Sequence, residues 1–145
     1  MYYTLSGGNF MSRTVETVRY SKKVYFYSGD FDEDGIDWED LIGNVKYDLE
    51  RKYKSLYEPN NKWLEYPFRE TMILLQNDHV KITVSEYCGV GVFCIFYDDN
   101  SECPELSERW FNQNVEKIKE IIKQYCESLR HVATFSNGEA IYERL

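Results

Sequence analysis

Residues 30–40 read Asp-Phe-Asp-Glu-Asp-Gly-Ile-Asp-Trp-Glu-Asp, and seven of those eleven side chains are carboxylates: Asp30, Asp32, Glu33, Asp34, Asp37, Glu39 and Asp40. No Lys or Arg stands among them. The whole chain carries 25 acidic and 17 basic residues, a formal net charge of −8. Outside this stretch the balance is 18 acidic to 17 basic, so almost all the excess negative charge sits in one short run. Carboxylates gathered in this way can hold a cation, cap a helix, or present a negative surface to a basic partner.

The cation option has a definite pattern. Asp30, Asp32 and Asp34 alternate and Gly35 follows, which matches the first six positions of a calcium-binding loop, with the Ile36 carbonyl as the next ligand. The match then fails, because the twelfth position calls for a bidentate Glu and is Leu41. Glu39 and Asp40 fall one or two residues early, so calcium affinity is expected to be poor. The capping option explains Asp37 as a helix N-cap, with Glu39 and Asp40 favouring the dipole of the first turn. It leaves Asp30, Asp32, Glu33 and Asp34 unexplained. Crowded like charges repel, and a loop needing only solubility would spread them. A docking surface for a basic protein is therefore the favoured reading, with Phe31, Trp38 and an exposed Tyr25 or Tyr27 as apolar anchors.

The rest of the chain offers little catalytic material. Ser85-Glu86-Tyr87-Cys88-Gly89 places a thiol, a carboxylate and a phenol at a strand end. A nucleophilic Cys needs a base within hydrogen-bond reach, and the nearest candidate, His79, precedes the same strand. There is no phosphate-cradling glycine loop, no serine elbow and no metal-binding His pair. Cys88, Cys94, Cys103 and Cys126 show no Cys-x-x-Cys spacing, and neither His79 nor His131 joins them in a ligand pattern, so reduced, mostly buried thiols are expected rather than zinc. No enzyme activity and no cofactor is expected.

Hydrophobic periodicity sets the elements that position these residues. Lys22–Ser28 is a strand with Val24 and Phe26 on one side and Tyr25 and Tyr27 on the other, and Gly29 ends it. A helix runs from the Asp37 cap to about Tyr57, with Trp38, Leu41, Ile42, Val45, Leu49, Tyr53 and Leu56 on its buried face. Lys62–Arg69 is an irregular or extended crossing segment. Thr71–Gln76, Val80–Tyr87 and Val92–Tyr97 form a meander, with a turn or bulge at Cys88–Gly91. A second long helix starts near Pro104 or Ser107 and reaches about Leu129. It buries Leu106, Trp110, Val115, Ile118, Ile121, Ile122, Tyr125 and Leu129. Val132–Ser136 and Glu139–Arg144 flank Asn137-Gly138, a strong hairpin signal. Tyr2–Leu5 and Val15–Tyr20 are weaker strands, and residues 1–20 form an arm or an extra strand.

These elements predict an α+β fold of order β-α-β-β-β-α-β-β, a largely antiparallel sheet with both amphipathic helices on one face. A chain of 145 residues fits a single domain, residues 1–145. No apolar run approaches the ~20 residues of a membrane span. The N-terminus lacks a basic segment followed by an apolar core, so the expected compartment is the cytoplasm. A sequence pI near 4.8 argues against direct nucleic-acid binding, which needs a basic face.

Three pieces carry a resemblance: Tyr25-Phe26-Tyr27-Ser28-Gly29-Asp30-Phe31, Arg69-Glu70-Thr71, and Ser85-Glu86-Tyr87-Cys88-Gly89. Over about residues 22–98 the chain resembles small accessory proteins encoded by bacteriophages. The shared stretch contains no catalytic motif and transfers no active residue. The resemblance implies a protein that binds and inhibits host machinery, such as a restriction or CRISPR nuclease. Bacterial immunity proteins that neutralise toxic nucleases share this physical profile. The combined expectation is a stoichiometric inhibitor of a basic, nucleic-acid-processing protein, docking through residues 30–40. A calcium- or small-ligand-binding module is the alternative.

Overall fold

A computed structural model describes residues 23–35, 37–69, 72–97, 103–136 and 139–142. The expectations for Tyr2–Leu5, Val15–Tyr20, Ile36 and the Asn137-Gly138 turn lie outside the described residues. The alternating strand β1 (Lys23–Asp30) leads into a helical turn α1 (Phe31–Asp34) and then α2 (Trp38–Leu49) and α3 (Lys54–Tyr57). The meander follows as β2 (Leu64–Arg69), β3 (Met72–Gln76), β4 (Val80–Tyr87) and β5 (Val90–Tyr97). The long helix α4 (Pro104–Tyr125) and the hairpin β6 (Arg130–Ser136) and β7 (Glu139–Tyr142) complete the chain.

The seven strands form one sheet in the order β2-β3-β4-β5-β1-β6-β7. Every neighbouring pair is antiparallel. The expected α+β architecture is therefore present, and β1, the first of the described strands, lies between β5 and β6. The period-2 pattern of β1 divides two apolar layers. Tyr27 joins Ile82, Val84, Phe93, Ile95 and Tyr97 beneath the helices, where Leu41, Ile42, Val45 and Leu49 of α2 meet Phe111, Ile118, Ile121 and Ile122 of α4. Val24 and Phe26 face the other way, with Cys94, Phe96, Val132, Ala133 and Phe135. Each fully buried large apolar side chain is worth about 1.5–3 kcal/mol. Among the described residues no helix is long and apolar enough to cross a membrane.

Several boundaries differ from the sequence expectations. Gly29 does not end β1, because Gly29 pairs with Gly91 and Asp30 with Val90. The glycine instead permits close approach: a Cβ there would lie 2.9 Å from the Ser128 hydroxyl and 3.1 Å from the Leu129 backbone. The first long helix is broken. It ends at Leu49, and Tyr53 is extended (φ −125°, ψ 124°) before the single turn of α3. The apolar rhythm Leu49, Tyr53, Leu56 continues through this break and conceals it. The intervening Glu50, Arg51 and Lys52 are all charged. Lys52 bonds Gln124, and Tyr53 bonds Glu120, so contacts with α4 replace a continuous helix.

Lys62–Arg69 contains the edge strand β2, where Pro67 is tolerated because one side of the strand needs no ladder. Trp63 just before it is buried and donates its indole N–H to the Leu56 carbonyl at 2.8 Å. In α4 the expected stripe is one residue out of phase at its start. Leu106 is 45% exposed, whereas Ser107 and Phe111 are buried. Two polar residues of the buried face, Ser107 and Asn114, hide this phase from any hydropathy pattern. The helix ends at Tyr125 rather than Leu129, because the following loop is tied to the acidic segment.

Candidate functional site

The acidic segment is a compact turn rather than an open loop. Asp30 ends β1 and N-caps α1, its Oδ1 accepting the Glu33 N–H at 3.0 Å. Gly35 closes the turn at φ 67°, a left-handed conformation suited to glycine, and its N–H donates to the Asp32 carbonyl at 3.2 Å. Asp37 then caps α2 as expected, accepting the Glu39 N–H at 3.0 Å and the Asp40 N–H at 3.4 Å.

Two distant segments fix this turn from either side. The first is the β4–β5 hairpin, whose two-residue turn has positive φ at both Cys88 (51°) and Gly89 (82°), the signature of a type I′ turn. The Phe31 amide donates to the Gly89 carbonyl. A Cβ on Gly89 would lie 2.0 Å from the Asp32 carboxylate, and one on Gly91 would lie 2.0 Å from the Phe31 ring. Glu86 accepts the Gly89 N–H at 2.8 Å, which brings another carboxylate to the same end of the sheet.

The second clamp is the loop after α4. The Asp30 N–H donates to the Ser128 hydroxyl at 2.9 Å, and that hydroxyl donates to the Asp30 carbonyl at 3.2 Å. Asp34 Oδ2 accepts the Ser128 N–H at 3.0 Å and the Cys126 thiol at 3.6 Å. The Ser128 hydroxyl and amide hold the Asp34 carboxyl below the usual carboxylate range. Burial pushes the Cys126 thiol up, and the adjacent Asp34 charge adds to the rise, so this thiol stays protonated. Glu127, between these two bonded residues, is exposed.

The seven carboxylates thus divide by task. Asp30, Asp34 and Asp37 hold the backbone. Asp30 and Asp37 stay exposed while doing so, and Asp32, Glu33, Glu39 and Asp40 are exposed as well. Glu86 and Glu127 extend the acidic end from other parts of the chain. Sequence reading noticed Glu86 only as part of a thiol site and missed Glu127 and Ser128, since nothing in local periodicity links Ser128 to Asp34 and Asp30, 94 and 98 positions away. The Ser85–Gly89 segment drew notice as a possible thiol site, and its structural part is to seat the acidic turn.

The apolar anchors are corrected. Phe31 is 3% exposed and packs edge-on to Phe93 with centroids 6.3 Å apart. Tyr27 is 4% exposed, and the partly buried Tyr25 stacks on Phe111 at 6.0 Å. Phe31 and Tyr27 belong to the core beneath the helices, and Tyr25 packs against it while partly buried. The backbone of Trp38 opens α2.

The described carboxylates of the calcium-loop pattern point to separate partners. Asp30 turns to the Glu33 amide, Asp34 to Ser128, and Asp32 to Gly89. Among the described residues no three His, Cys, Asp or Glu side chains are gathered for a cation.

Cys88 and His79 are not brought together. They flank the eight-residue β4 at opposite ends, nine residues and so roughly 30 Å apart at ~3.4 Å per residue. Cys88 and Cys103 are exposed, so only Cys94 and Cys126 follow the buried-thiol expectation. His79 stacks on Trp110 at 5.3 Å, with Nδ1 3.4 Å from the Ser107 hydroxyl. Burial holds its pKa below the usual histidine range, against the opposing pull of Asp78. The chain matches no known family model, no curated protein and no solved structure.

Proposed function

We propose that this protein acts by binding, as a stoichiometric inhibitor of a basic, nucleic-acid-processing protein in the cytoplasm. The observation that carries this reading is the division of labour among the carboxylates. Three of them fix the acidic turn, and Asp32, Glu33, Glu39 and Asp40 project from it as exposed negative charge. A preorganised acidic surface attracts a basic groove over a distance and excludes its phosphate ligand by like charge. The resemblance to phage accessory proteins supports an anti-defence role, with a restriction or CRISPR nuclease as the kind of target. Phe31 is committed to the core and does not serve as an apolar anchor.

Salt dependence tests the reading. Association with the target is expected to slow steeply as ionic strength rises from about 0.01 to 0.15 M, as the screening length falls from ~30 to ~8 Å. The variant carrying Asp32→Asn, Glu33→Gln, Glu39→Gln and Asp40→Asn is expected to lose most of that slope. Equal rates for both proteins at all salt concentrations would overturn the docking role.

A further inference from the structure

We draw no further inference here: the strongest candidate, the apolar cluster of Val24, Phe26, Cys94, Phe96 and Phe135 on the sheet face opposite the helices, carries nothing because no described element shows what covers it.

Discussion

The Asp34 carboxylate ties the acidic turn to Ser128, 94 positions along the chain. Its folded pKa lies below the ordinary 3.8, so the native state binds fewer protons than the unfolded chain in that window. The stability it contributes is complete above about pH 4 and is lost as pH falls through the folded value. Urea titrations at pH 7 and pH 3 are expected to show this loss, and Asp34→Asn should be less stable at pH 7 with a smaller difference between the two. His79 adds a second acid-sensitive contribution by the opposite chemistry. Its folded pKa is depressed by burial against Trp110 and Ser107, so the neutral form is favoured and stability falls as pH drops below about 6.5. A Gln at position 79 should remove that part of the dependence between pH 7 and 5, read by chemical denaturation. Asp37→Ala should cost about 1 kcal/mol, the usual loss when an N-cap oxygen no longer meets the first amides.

The elements show where sequence reading succeeds and where it fails. The period-2 strands and the meander were legible, because each strand pattern is local and the connections between strands are short. The helix break at residues 50–53 was not legible. Leu49, Tyr53 and Leu56 keep a helical rhythm across it, while the break follows from Lys52 and Tyr53 bonding Gln124 and Glu120 far along the chain. The start of α4 was mis-phased for a different reason, since buried Ser107 and Asn114 look like surface residues. Paired substitutions separate the two phases. Phe111→Ala, at a fully buried ring, should cost ~3–5 kcal/mol, whereas Leu106→Ala should cost a small fraction of that because its side chain is half exposed. The contact between α1 and β5 has its own test. Gly91→Ala would drive a methyl into the Phe31 ring, and overpacking of this kind costs ~1–3 kcal/mol. Phe31→Ala combined with Gly91→Ala should lose less than the sum of the single changes, as expected for two residues sharing one contact.

At the scale of the whole molecule, one sheet end collects the C-terminus of β1, the β4–β5 turn and the loop after α4, and each brings carboxylates. The acidic run itself was legible as a concentration of charge, and Asp37 as a cap. How the run is clamped was not, because that depends on Ser128, Gly89 and Gly91, which lie between 57 (Asp32 to Gly89) and 98 (Asp30 to Ser128) residues from their partners. Nor was the burial of Phe31 and Tyr27, since an alternating strand with aromatics on both sides does not reveal that both sheet faces carry apolar layers. Asp32, Glu33, Glu39 and Asp40 are exposed at this sheet end, and they are the carboxylates through which the proposed docking would act. The Asp32 carboxylate also lies against Gly89 of the β4–β5 turn, so it borders that clamp as well as the solvent. Affinity capture from source-cell lysate tests this most directly, with the natural protein and the variant neutralised at those four positions as parallel baits and cooperative melting as the control for folding. A basic nucleic-acid-processing protein should be retained by the natural bait and lost from the variant. Retention of the same protein by both baits, or of none by either, would contradict an acidic docking surface.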